Sequence, residues 1–138
     1  MEKPLFQHSR YVAEWYCFWS NAPFLLISTT RIIDGYSIQL SAYMLCIGIC
    51  SAWHHAHGAR WSVYVDWLPI VALLWQVWRH QWWMFWSFTT WLKVVLTLGV
   101  GFNDHVFTTA PVPWGHVLWH VMAAFTMDAA FSEIESYF

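Results

Sequence analysis

Over residues 36–57 this chain runs without a single Asp, Glu, Lys or Arg. A helix needs about 20 mostly apolar residues to cross the hydrocarbon layer of a bilayer, and this run is long enough. Four other stretches approach the same character: 15–33, 62–78, 82–102 and 113–131. Most of the breaks between them are turn chemistry. Asp34-Gly35, Gly58-Ala59-Arg60, and Asn103-Asp104 with Pro111 and Pro113 all punctuate the pattern. Between the third and fourth stretches stands only Arg79-His80-Gln81. One unbroken helix over 61–102 would be roughly 63 Å long, about twice the hydrocarbon thickness, so a tight turn is expected at that triplet. The expectation is an all-α integral membrane protein, a single domain over 1–138 with about five transmembrane helices in one bundle.

Composition agrees. Charged residues make up 10% of the chain and hydrophobic ones 59%, where a soluble domain carries about 25% charged. Thirteen tryptophans suit helix anchoring at a membrane interface, and the 82–86 cluster reads as such a belt. Six scattered basic residues and a net charge of −2 give no footprint for nucleic acid. Cys17, Cys46 and Cys50 lie in apolar segments, with no CxxC spacing and no disulfide framework. The polar start of the chain does not read as a cleaved signal peptide. The N-terminal tail and the loops on its side carry Lys3, Arg10 and Arg60 and the opposite loops carry Arg31 and Arg79, so orientation is not readable. Lys93 reads as a snorkelling cation and Asp128 as a group reaching the far headgroups.

Ionisable groups inside spans are costly and usually functional, and here they are concentrated. Ser51, His54, His55 and His57 close the second span, Asp66 lies near the start of the third, and His116 and His120 near the start of the fifth. Ser51 and His55 are spaced i, i+4 on one helix face, as are His116 and His120. With five spans, the end of the second and the starts of the third and fifth share the membrane face of the N-terminal tail. His55, Asp66, His116, His120 and Glu14 then converge on one layer. His54 and His57 are expected beside it, and His80 and His105 in solvated loops.

Such a layer supports metal-assisted hydrolysis. Three neutral imidazoles bind Zn2+ and leave one position to water, whose pKa falls towards roughly 7. A carboxylate can shuttle the proton and a hydroxyl such as Ser51 can hydrogen-bond an oxyanion. In a membrane the substrate would be a lipid amide or ester.

The same residues resemble a known family. Ser51-xxx-His55, Asp66 eleven positions later and His116-xxx-His120 resemble the alkaline ceramidases of the CREST superfamily of membrane hydrolases and receptors. Flanking residues strengthen the likeness: His55-Ala56, Asp66-Trp-Leu-Pro69, Gly115-His116-Val-Leu-Trp-His120, and Ala13-Glu14 followed by Ser20-Asn21. The resemblance covers about residues 13–125. It implies zinc on His55, His116 and His120, with Asp66 and Ser51 catalytic and ceramide as the substrate. It implies residence in an endoplasmic reticulum or Golgi membrane in a eukaryote, or the inner membrane of a bacterium. The family has seven helices where this chain has room for five, which would leave the cavity wall open to lipid or completed in a homo-oligomer. Glu14 stands where the family's calcium site has an acidic residue, so calcium is the ion it implies there, although the tail lacks the family's Asp-Trp start.

Other readings remain open on the residues alone. His116 and His120 could be packed core histidines, and Asp66 or Glu14 first-turn acids favoured by the helix dipole. A lipid-binding receptor or scaffold with structural zinc is the second hypothesis, and a bis-histidine haem protein the third.

Overall fold

The computed structural model describes residues 12–103 and 113–138. Among them the chain is helical, with no strand. Six helices follow in order: α1 (Trp15–Trp19), α2 (Ala22–Ile33), α3 (Ile38–His57), α4 (Val63–Arg79), α5 (Phe88–Phe102) and α6 (Trp114–Glu135). Short 3-10 turns at Arg60–Ser62 and Trp82–Phe85 lead into α4 and α5.

Local chemistry explains these boundaries. Gly35 and Gly58 hold left-handed backbone after α2 and α3, at φ of 81° and 69°, which glycine adopts without a Cβ penalty. Ser37 and Ser87 cap α3 and α5 through their side-chain oxygens, accepting from the backbone N–H of Leu40 and Thr90. The Arg79-His80-Gln81 triplet does turn the chain, with Gln81 left-handed at φ 54°.

The expected first span is two helices. The chain breaks at Ser20-Asn21, and Pro23 sits in the first turn of α2, where its missing N–H costs nothing. The fourth expected span is likewise shorter, because 82–85 forms a 3-10 turn and α5 starts at Phe88.

No helix among the described residues is long and apolar enough to cross a membrane. Helices α4 and α5 are short, about 26 and 22 Å at 1.5 Å per residue. Helices α3 and α6, with 20 and 22 residues, have the length but carry histidines and other polar residues.

The core lies where α2, α3 and α6 meet, around Phe24, Leu40, Met44, Ile47, Ala124, Phe131 and Ile134, with Leu73 contributed by α4. Helix α3 packs between α2 and α4, and α5 lies along α6. Two glycines permit close approach. A Cβ on Gly48 would come within 2.6 Å of Phe24 Cβ, and one on Gly101 within 2.5 Å of Trp119 Nε1.

At the far end of the bundle, Arg31 departs from its expected place in a loop. It is only 3% exposed. Its guanidinium donates to Asp128 Oδ1 at 2.5 Å and Ser132 Oγ at 3.0 Å, and pairs with the Glu135 carboxylate. Asp128, expected to reach solvent headgroups, is therefore the partner of a buried cation. Trp82 and Trp86 likewise pack partly against the core, so the aromatic cluster is not wholly an outward belt.

Candidate metal centre

The opposite end of the bundle holds the histidines. The α3 C-terminus leaves carbonyls without partners inside the helix. Two are met by the residues just before α1, where Ala13 N–H donates to the Ala56 carbonyl at 3.0 Å and Glu14 N–H to the His55 carbonyl at 2.9 Å. That pairing sets the Glu14 side chain beside the His55 ring, with Nδ1 2.5 Å from Oε2. The hydrogen bond with His55 holds the Glu14 carboxyl below the usual carboxylate range, outweighing the opposing effect of burial. An imidazole whose Nδ1–H donates to a carboxylate leaves its Nε2 lone pair bare.

His120 is fixed in the same way by other groups. Ser20 Oγ donates its single proton to the Cys17 carbonyl at 2.8 Å, so His120 Nδ1–H donates to Ser20 Oγ at 2.7 Å. The Nε2 of His120 again faces inward, 3.5 Å from Ser51 Oγ. His116, one turn earlier on α6, brings its Nε2 to 3.3 Å from His55 Nε2. The three rings sit with centroids 4.5 to 5.1 Å apart. His55 and His120 are buried.

The His55–His116 pair fits a metal. Two nitrogens each 2.0–2.1 Å from a tetrahedral zinc lie about 3.4 Å apart, close to the observed His55–His116 separation. Two of the three imidazoles are already in the tautomer that ligation requires. Cys17, His55 and His116 each offer a ligand atom, all within 4.8 Å of one another, and Glu14, His54 and His55 form a second such group; among the described residues His120 belongs to neither, its ring lying beside them.

The sequence-predicted residues are therefore partly brought together. His55, His116, His120 and Ser51 share one pocket of side chains, and Glu14 joins them through His55 rather than through a separate acidic cluster. Asp66 lies in the first turn of α4, half-buried, within electrostatic range of His54 and Cys50. Among the described residues it makes no hydrogen bond to the histidines. His54 lies beside the trio, its ring centroid 4.9 Å from that of His55, and its Nδ1 donates to Ser62 Oγ at 2.6 Å while Ser62 donates to the Ala59 carbonyl. His57 stacks on Trp53, and His80 stacks on Trp82 at the end of α4. His8 and His105 lie outside the described residues.

Three participants were not expected from sequence: Cys17, and Ser20 with Asn21 as supports of His120. For Cys17 a signal was present in the spacing, since it falls three residues after Glu14; Ser20 and Asn21, at the break between α1 and α2, had none.

No protein-family model, curated protein or solved structure matches this chain. The ceramidase resemblance rests on the motifs quoted above.

Proposed function

We propose that this chain is a zinc-dependent hydrolase of a lipid amide, with ceramide as the favoured substrate, working at one face of a membrane. The observation that carries this reading is the convergence of the His55, His116 and His120 rings, with His55 and His116 facing each other through Nε2 and His120 Nε2 facing Ser51. A zinc ion held there would supply Lewis-acid activation of water and of a carbonyl.

The chain's own residues have distinct tasks in this reading. Glu14 and Ser20 hold the Nδ1 protons of His55 and His120, fixing ring orientation. Ser51 Oγ offers a hydrogen bond to the developing oxyanion. Asp66 acts as general base and then acid, closing towards the histidines when substrate is bound, since such contacts often tighten only in the complex. Membrane association is supported by the outward apolar faces. On α4, Leu68, Leu74, Trp75 and Trp78 are each 59–70% exposed, a surface that needs lipid or another apolar cover. Shortened helices suit a thinned or partly entered bilayer.

The test is metal analysis of detergent-purified protein, coupled to fatty-acid release from a lipid panel. His120→Ala should lose both zinc and hydrolysis, whereas Asp66→Asn should keep zinc and lose turnover. An active Asp66→Asn protein removes Asp66 as the base. Stoichiometric zinc without hydrolysis of any lipid would favour the receptor reading instead.

A further inference from the structure

The hydrolysis just described makes no use of the Cys17 side chain. Cys17 is buried in α1 and takes part in no disulfide. Its Sγ lies within 4.8 Å of ligand nitrogens of His55 and His116. The backbone that carries it is pinned, because its carbonyl accepts from both Ser20 Oγ at 2.8 Å and Asn21 Nδ2 at 2.9 Å. Those same two side chains approach His120 Nδ1. The thiol and the third histidine are thus anchored by one set of groups.

We propose that Cys17 is a fourth ligand of this metal, an inference that rests on the zinc reading above. In a tetrahedral site a sulfur at about 2.3 Å and a nitrogen at about 2.0–2.1 Å stand about 3.6 Å apart. The ligand atoms lie within 4.8 Å of one another, so they would draw together by up to about 1.2 Å to reach that spacing. Thiolate is a softer and stronger ligand for zinc than water. On binding, the thiol gives its proton to solvent and its sulfur takes the coordination position.

Cys17, His55 and His116 are the ligand atoms already gathered, and His120, outside that group, would have to move in to complete the closed tetrahedral form of a zinc site. Hydrolysis then requires Sγ to leave so that water can enter. Cys17 is in this sense a gate on the site, carried by a helix of only five residues. The other cysteines have no such position: Cys46 is exposed, Cys50 is half-buried, and neither joins the ligand groups among the described residues.

X-ray absorption at the zinc edge of the full, detergent-purified protein tests this directly. The wild type should show one sulfur scatterer at about 2.3 Å beside nitrogens at about 2.0–2.1 Å. Cys17→Ser should lose the sulfur, keep stoichiometric zinc and release fatty acid from ceramide faster than the wild type. Cys46→Ser and Cys50→Ser should keep the sulfur. Bound zinc with only nitrogen and oxygen neighbours in the wild type would overturn the Cys17 assignment while leaving the hydrolase reading intact. Absence of zinc from the wild type would overturn that reading, and this inference with it. Slower hydrolysis in a zinc-loaded Cys17→Ser protein would overturn the gating role.

Discussion

Replacing Arg31 with Met should destabilise the fold more than any single change at the helix surfaces. The guanidinium is bound by two carboxylates and the Ser132 hydroxyl, with the Tyr36 ring 4.7 Å from its central carbon. Glu135 also accepts the Ser37 N–H at 2.9 Å, so one ion cluster ties α2, the start of α3 and the end of α6 together. Removing one partner of a buried pair costs about 3–5 kcal/mol, because the other is left charged without compensation. Here the Glu135 side chain is 16% exposed but that of Asp128 is 38% exposed. Asp128 can therefore rehydrate, and its share must be discounted for solvent screening. The expected loss is about 3 kcal/mol, roughly a hundredfold in the folding equilibrium. Denaturant unfolding of purified Arg31→Met measures it. A double-mutant cycle with Glu135→Gln should show coupling, the pair losing less than the sum of the singles. A loss under about 1 kcal/mol, or strict additivity, would refute the claim that the cluster acts as a buried unit.

Two further changes probe the packing and the support of the site. Gly48→Ala brings a Cβ against Phe24 Cβ, a backbone-anchored atom that cannot swing away. It should cost about 1–3 kcal/mol in unfolding experiments, and a neutral result would mean that α2 and α3 can slide apart freely. Glu14→Ala should weaken zinc binding about 10–100-fold in chelator competition by freeing the His55 ring. If Glu14 served only a calcium ion, zinc affinity would not move.

Much of the helical order could be read from the sequence, because apolar runs bounded by Asp34-Gly35 and Gly58 leave few alternatives. Ends were less visible where the physics was tertiary. Helix length places a turn at Arg79-His80-Gln81, but no local propensity announces that a non-glycine residue, Gln81, holds it in left-handed backbone. The break at Ser20-Asn21 looked like the middle of an apolar stretch, with Pro23 as its only trace. Arg31 read as a loop cation because its partners lie about a hundred positions away, at Asp128 and Glu135. In the site, the i, i+4 spacings and the span directions were enough to bring His55, His116, His120 and Ser51 to one end. The Nδ1 partners could not be inferred, since they depend on how α1 leans on α3.

That leaning explains more than one feature at once. A helix of five residues has no stability of its own, because nucleation costs more than so few hydrogen bonds return. Helix α1 has no side-chain cap, so tertiary contacts must hold it. They do so through the Ala13 and Glu14 N–H groups, which meet carbonyls at the end of α3 that would otherwise lack partners. The same contact delivers Glu14 to His55, and one turn later Cys17 to the ligand group, and then Ser20 to His120. Capping α3 and orienting the histidines are therefore a single interaction. A change that frays the end of α3 should disorder the centre even where no ligand is touched. Gly58→Val is the sharpest case, since Gly58 holds φ at 69° and a β-branched residue is strained there. It should lower metal affinity along with stability, and a Gly58→Val protein that unfolds earlier yet binds zinc as tightly as the wild type would separate the two.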